Sequence, residues 1–567
     1  MTISTYAATG PSPATSAAER SYGPEEKKRG AIFTKQAVVD FMLDLIGYVP
    51  SAPLHTKKLL EPSFGGGRFL LSAVDRLLAS WKAGSDNSDY TVLIAAIRAV
   101  ELDTETFLTL KGALRARLKD AGFAEFEVAK LLDSWLIHDD FLLVPLDSKF
   151  DFIIGNPPYV RQELIDPDLL ATYRSIFTSM VGRADLYVPF IEKSLDLLSE
   201  RGQLSFICAD AWIKNDYGRA LRAKVDSSFH LRNYVDMYGV SAFEVSVGAY
   251  PSITIIENST PGPSRVAKAE STDEIYLDDL RQALAAVDGP ATHPAIQQIE
   301  RVTNGEHPWL LSIREQLPII RYMESHFPTL GEAGCRIGIG VATGADKVFI
   351  GPFDQLDVED DRKLPLATNK DIPNGQLVWT GKGVLNPYTD EGPLVDLAQY
   401  PRLAAHLQQH RFQLEKRHTA KSDTDRRWYK TIDRITPSLT WCEKLLIPDI
   451  KGDGNNIAYD PGTLYPHHNL YFITSTDWNL RALQAVLRSG IAHLFVEAYS
   501  VKIGGGYLRF QAQNLKRIRI PIWDTISEAD QQTMILAGEA GTKLELKLLE
   551  NIYELGNGEL AILGGNN

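Results

Sequence analysis

Residues 59–73, LLEPSFGGGRFLLSA, run from an apolar strand-like triplet through an acid, a proline and three consecutive glycines into an amphipathic helix. Glycines at a strand-to-helix turn let backbone N–H groups approach a nucleotide-like ligand without interference from Cβ. Leu70 stands where a dinucleotide-binding G-x-G-x-x-G pattern would place its third glycine, so the turn alone reads equally well as an ordinary tight βα loop. A second apolar run, IRAVELD (97–103), closes on Glu101, which puts a carboxylate where such folds hydrogen-bond ribose hydroxyls. Accepting two of them is the expectation for Glu101.

Working outward, short apolar runs alternate with helical patterns as far as Glu257: RFLLSAVDRLLASW, TFLTLKGALRARL, FDFIIG, LYVPFIEKSLDLL, GQLSFICA and SITIIEN. This alternation predicts an α/β unit with a mostly parallel sheet and helices on both faces. Within it, FDFIIGNPPYV (150–160) stops a strand at Gly155 and follows it with Asn156-Pro157-Pro158-Tyr159. Two prolines fix φ and remove donors, holding the Asn156 amide and the neighbouring carbonyls in one extended geometry at the end of the strand. A lone PP is usually a strand stop, yet an amide and an aromatic flank this one.

The 567 residues can bury a large core, and 44% hydrophobic with 23% charged residues is the composition of a folded chain. The three cysteines, Cys208, Cys335 and Cys442, are too scattered for a disulfide framework or a zinc cluster, which suits a reducing compartment. No apolar run reaches membrane-spanning length and residues 1–30 lack a leader pattern, so neither membrane nor export is expected. A net charge of 59 − 72 = −13 excludes a uniformly basic coat for nucleic acid but not a basic cleft. The domain reading is a mobile tail over 1–25, a nucleotide-binding catalytic domain over 26–260, and a connector with some helix over 261–334. A mixed α+β domain over 335–525 and a C-terminal helix and tail over 526–567 complete it, the last opening with the capping signal Ser527-x-x-Asp530.

Asn-Pro-Pro-Tyr after an apolar strand, downstream of a glycine turn and an acidic strand end, resembles the S-adenosylmethionine-dependent N6-adenine DNA methyltransferases of bacterial restriction-modification systems. The aromatic-Thr marker of that family is similar to Phe33-Thr34, with Lys35 where the family has Pro. The motif order is similar to the gamma arrangement. The resemblance implies a class I (Rossmann-like) catalytic domain with S-adenosyl-L-methionine held by Phe33, Thr34, Glu61, Pro62, Gly65, Gly67, Glu101, Asp140, Phe141 and Asn156. It also implies catalysis by Asn156, Pro157 and Tyr159 on a base swung out of double-stranded DNA, with Phe243, and less so Tyr250, facing that base. Asn156 Oδ1 and the Pro157 carbonyl would accept from the target amine. A separately encoded restriction endonuclease would be its companion, in the cytoplasm of a bacterial or archaeal cell, associated with the nucleoid. Residues 1 to about 30 leave no room for an N-terminal cleavage domain. Because NPPY also occurs in other methyltransferases, RNA and a protein glutamine remain as alternative substrates. A non-catalytic specificity subunit is the alternative of another class.

Past residue 334, GIGVATGADKVFI, LYPHHNLYFI and KIGGGYLRFQAQNLKRIRIPI look like the target-recognition domain of the same enzymes. Residues 411–434 hold eight Lys or Arg against four acids, and 502–519 hold five with no acid. Basic residues interleaved with Tyr, Phe, Gln and Asn suit phosphate contacts plus base-edge readout, which nominates Lys502, Arg509, Lys516 and Arg517 for DNA. A solvated charged face is the competing reading of any charge run. His467-His468 with Asp449 and Asp453 fits no metal-ligand spacing, and no metal is expected.

Overall fold

The computed structural model describes residues 33–84, 89–245, 251–285, 293–311, 316–417, 427–449, 456–500, 510–556 and 558–560. The tail expected over 1–25, Tyr250, Lys502 and Arg509 lie outside the described residues. The chain divides into two compact units, 1–311 and 312–567.

The first unit is built on a nine-stranded sheet. Its strands are β1 Leu59–Glu61, β2 Ile97–Glu101, β3 Leu136–His138, β4 Phe150–Gly155, β5 Leu198–Ala209, β6 His230–Asp236, β7 Pro251–Glu257, β8 Ser264–Lys268 and β9 Ile296–Ile299, in the order β3-β2-β1-β4-β5-β7-β6-β8-β9. From β3 to β5 every neighbour is parallel, and β7 runs antiparallel between β5 and β6. The parallel strands are apolar because helices cover them: Ile97, Ala99 and Val100 on β2 and Ile153 and Ile154 on β4 are buried. The strand order reverses between β1 and β4, which is where open α/β sheets leave a ligand crevice beyond the carboxyl ends of the strands.

The helices follow the sequence periodicity. After β1, α2 (Arg68–Ala83; α1 is Gln36–Leu45) buries Phe69, Leu70, Ala73, Val74, Leu77, Leu78 and Trp81, one face at three- and four-residue spacing. Leu70 is fully buried, so the missing third glycine is a core side chain. Helices α3 (Thr104–Asp120), α4 (Glu125–Trp135), α5 (Pro167–Ile176), α6 (Tyr187–Asp196) and α7 (Arg219–Ser228) follow in order. The stretch expected to be a connector, 261–334, carries helix but also supplies β8 and β9, with α8 (Glu274–Ala285) between them, to the sheet of the first unit. These strands, SRVAK and IQQI, are four or five residues long and show no alternation of polar and apolar residues, so no strand period stands out in the sequence.

The second unit is mixed α+β, with two four-stranded sheets. One orders as β10 (Cys335–Ile339), β17 (Leu470–Ser475), β14 (Lys444–Pro448) and β15 (Ala458–Asp460), all antiparallel. The other orders as β11 (Ile350–Pro352), β13 (Lys382–Leu385), β12 (Lys363–Ala367) and β16 (Tyr465–Pro466), the last pair parallel. The terminal helix starts where its cap signal places it, Ser527 accepting from the Asp530 N–H. It breaks at Gly541, whose φ of +68° is left-handed, and resumes over Leu546–Ile552. Among the described residues no helix is long and apolar enough to cross a membrane.

Candidate active site

The glycine turn sits at the strand-order reversal. Gly65 and Gly67 have φ of +47° and +76°, values a Cβ would disfavour. A Cβ on Gly66 would collide with the Phe33 ring, and one on Gly67 with Leu110. The turn is tied from both sides: the Gly67 N–H donates to the Phe64 carbonyl (2.7 Å) and the Gly65 N–H to Glu101 Oε2 (2.8 Å). A partly open cleft of about 430 Å³, counting space open to solvent, is lined by Phe33, Thr34, Glu61, Gly65 to Gly67, Arg68 and Asn156. Six residues nominated from sequence thus meet there. Ser63, Phe64, Arg68 and Phe69 were not foreseen; their only sequence signal was proximity to the glycines.

A short segment joins the cleft to Phe243. Thr34 forms an antiparallel bridge with Phe243, the Lys35 N–H donates to the Ala242 carbonyl and the Glu244 N–H to the Phe33 carbonyl, both at 3.0 Å. Arg68 and Glu244 form a 2.5 Å ion pair across the same seam. Asn156 Nδ2 donates to Thr34 Oγ1 at 3.4 Å, which aligns the amide with the marker residue. Tyr159 meets Phe243 edge-on (6.5 Å between centroids) and lies 6.3 Å from Tyr187, forming an aromatic corner beside the prolines. The Tyr159 hydroxyl, 3.4 Å from the Ile207 carbonyl, is driven well above the ordinary phenol range by burial and stays protonated.

Two carboxylates face the turn. Burial drives the Glu61 carboxyl well above the usual range, and the nearby Glu101 charge adds to the effect. Glu61 Oε2 is buried and meets no hydrogen-bond partner among the described residues. Glu101 is also raised, by burial, although its carboxylate takes three backbone N–H donors: Gly65 on Oε2, and Leu102 and Asp103 on Oε1 at 2.9 Å each. Three of roughly four carboxylate lone-pair sites are therefore filled by backbone donors. A buried acid with an unmet oxygen beside a donor-rich glycine turn fits S-adenosylmethionine, which brings cationic sulfonium and ammonium groups and a ribose.

Asp140 and Phe141 lie elsewhere. Phe141 is buried against Phe190 (5.0 Å), with Lys193 Nζ 5.1 Å over its ring. Asp140 accepts from the Leu142 N–H (2.8 Å) and the Tyr173 hydroxyl (2.5 Å), and burial raises its carboxyl. Neither residue lines the cleft, and neither do Pro62 and Glu101, although Glu101 bonds the Gly65 N–H of the turn. Tyr173 comes from α5, 33 residues on, which no local pattern could pair with Asp140.

In the second unit the basic stripes are only partly available to a ligand. The Arg517 guanidinium lies 4.8 Å over the Tyr499 ring, and Arg519 bonds the Phe327 carbonyl (3.2 Å) and faces Glu332. Lys516 is exposed at the end of the short helix Ala512–Leu515. In the other stripe, Arg417 is consumed by the carbonyls of Thr343, Leu414, Trp428 and Lys430 and Arg411 by Glu415 and the Trp428 ring.

Comparison with known proteins places the chain in a family. Residues 84–243 match the Eco57I restriction-modification methylase family and 402–522 the TaqI-like C-terminal specificity domain. Type II methyltransferase M.PaeR7I of Pseudomonas aeruginosa is 51% identical over 95% of this chain and 94% of its own length. Type II methyltransferase M.XhoI of Xanthomonas vasicola is 47% identical over 92% and 95%. In fold, the chain is similar to the Type IIL restriction-modification enzyme MmeI, solved in complex with DNA, with a TM-score of 0.59 at 12% identity, covering 95% of this chain and 78% of that one. The chain belongs to the Type II methyltransferases of restriction-modification systems, site-specific DNA methyltransferases that use S-adenosylmethionine.

Proposed function

We propose that the enzyme methylates the N6 amine of an adenine extruded from duplex DNA. The reading rests chiefly on Asn156, the amide of an Asn-Pro-Pro-Tyr run at the end of β4, which lines the glycine cleft and is bonded to Thr34, whose bridge partner Phe243 packs edge-on against Tyr159. An adenine exocyclic amine is a poor nucleophile because its lone pair is delocalised into the ring. Asn156 Oδ1 and the Pro157 carbonyl accept its two hydrogens and draw the nitrogen toward tetrahedral geometry. Fixed dipoles at the cleft stabilise the developing charge without a strong base, and no such base is needed from Tyr159, whose hydroxyl stays protonated. Tyr159 and Phe243 offer ring faces and edges to the extruded base, offsetting part of an unstacking cost of a few kcal/mol. Bound S-adenosylmethionine would supply the electrophilic methyl group and leave as the thioether S-adenosylhomocysteine, the proton displaced from the amine passing to water. Glu61, Glu101 and the Gly65–Gly67 turn orient it, while the part played by Asp140 and Phe141 requires the Tyr173 bond to exchange for a cofactor contact.

The second unit reads the DNA sequence, with Lys516 on phosphate. The enzyme works in the cytoplasm, on the nucleoid of a bacterial or archaeal cell, beside a separately encoded endonuclease. Support comes from the relatives, which carry methyltransferase names and are spanned almost end to end by this chain. Tritium transfer from labelled S-adenosylmethionine to duplex DNA, RNA and protein tests the reading. Label recovered as N6-methyladenine from duplex is the expected result. Label in cytosine, RNA or a glutamine amide assigns another substrate, and none anywhere leaves a non-catalytic specificity subunit.

A further inference from the structure

In the second unit, a side-chain cluster outside the cleft brings together residues far apart in sequence. His467 Nε2 lies 3.3 Å from Asp346 Oδ2, and the His467 and His468 rings are 4.0 Å apart at 56°. One ligand-type atom from each of Asp346, His467 and His468 falls within 4.8 Å of the others. We propose that Asp346, His467 and His468 form a binding site for one divalent transition-metal ion of the zinc class, completed by water.

Three features make the convergence more than an accident of neighbouring residues. Consecutive side chains on a strand point to opposite faces, yet these two rings share a side because β16 ends at Pro466 and the chain turns at His468. The backbone is clamped on both sides of that turn, the His467 N–H donating to the Ala367 carbonyl (2.9 Å) and the His468 N–H to the Val341 carbonyl (3.0 Å), while Val341 N–H donates back to Pro466. Gly340 allows this approach, since a Cβ there would collide with the Pro466 and His467 carbonyls. Finally, Thr343 Oγ1 donates to Asp346 Oδ1 at 2.5 Å, orienting the carboxylate with Oδ2 toward His467. A supporting bond behind a first ligand is the arrangement that metal sites use. A simple His467–Asp346 ion pair accounts for two of the three groups and leaves the approach of exposed His468 unexplained. Two imidazoles with one carboxylate, and no thiolate, select Zn²⁺, Co²⁺ or Ni²⁺ over Mg²⁺ or Ca²⁺. The ion would clip the 340–346 loop to the end of β16, 121 residues away in sequence.

The test uses the full-length protein after chelator treatment and dialysis. Calorimetric titration with ZnCl₂ is expected to show one saturable site per chain and a rise in Tm of a few degrees with excess Zn²⁺, with no response to MgCl₂. Co²⁺ should develop a visible ligand-field spectrum. His468→Ala removes an exposed ligand and Asp346→Asn keeps the Thr343 bond; each should weaken Zn²⁺ at least tenfold and abolish the Tm rise. His493→Ala, which removes a partly buried histidine beside Glu497 on the helix Ala492–Tyr499, outside the cluster, should bind as wild type. Absence of a one-to-one site in the wild type, or equal Zn²⁺ affinity in wild type, His468→Ala and Asp346→Asn, overturns the proposal.

Discussion

Replacing Glu101 by Gln probes the cofactor end of the cleft with the least disturbance. The carboxylate holds the Leu102 and Asp103 N–H groups on Oε1 and the Gly65 N–H on Oε2. A glutamine can keep its carbonyl oxygen on the first two, which are local and fix the turn after β2. Its NH₂ then faces the Gly65 N–H, donor against donor, and can accept nothing from a ribose hydroxyl. Two bonds to a charged group are lost, one to the cofactor directly and one that shapes the glycine turn. A hydrogen bond to a charged group is worth about 1.5 to 3 kcal/mol. Counting only the direct one, and 1.4 kcal/mol per tenfold, the Kd for S-adenosylmethionine should rise by about 10- to 150-fold. Calorimetry at pH 8, which favours the ionised carboxylate, measures this, and fluorescence anisotropy with duplex DNA should show little change. A cofactor Kd within twofold of wild type, in a variant that melts like wild type, would refute the assignment of Glu101 to the cofactor.

Asn156→Ala should lower the single-turnover methylation rate by about a hundredfold or more while cofactor still binds, as removal of one preorganised polar group does elsewhere; a wild-type rate would reduce the NPPY run to a rigid strand stop. Tyr159→Ala should weaken base extrusion by about 1 to 3 kcal/mol, read as a smaller fluorescence rise from 2-aminopurine at the target position, whereas Tyr159→Phe keeps the ring and most activity. Lys516→Ala should reduce the magnitude of the salt slope of DNA binding by about 0.9, but Arg517→Ala, which strips a guanidinium from the Tyr499 ring, should show as lowered Tm. Asp185, two residues before Tyr187, is pushed up to about 6 by burial, with Arg161 opposing and Glu163 adding. Its folded value lies above the ordinary 3.8, so ionising it costs stability, fully above pH 6 and progressively less as the pH falls toward 4. Asp185→Asn should therefore stabilise the protein by about 1 kcal/mol at pH 8, after discounting for partial exposure, and by less at pH 5 in parallel melts.

The sequence by itself determined the elements whose signals are local. Leu70 and its partners at helical spacing specify α2, Gly65 and Gly67 specify the left-handed turn before it, and Asn156-Pro157-Pro158-Tyr159 marks the end of β4. Each is legible because period, φ and donor count are properties of a few consecutive residues. What only the tertiary structure decided depends on pairs distant in the chain. Glu101 spends three of its acceptor sites on backbone, one of them on Gly65, 36 residues away, and the Thr34–Phe243 bridge brings the aromatic-Thr marker against Phe243, 209 residues on. Asp140 was committed to Tyr173 by a helix that sequence placed nowhere near it. The Arg517 guanidinium lies over the Tyr499 ring, a neighbour the charge run does not reveal, and His467 meets Asp346, 121 residues earlier in the chain. Charge and motif can be read along a chain, whereas which charge is already satisfied is settled by three-dimensional neighbours, since buried polar groups must find their partners wherever the fold delivers them.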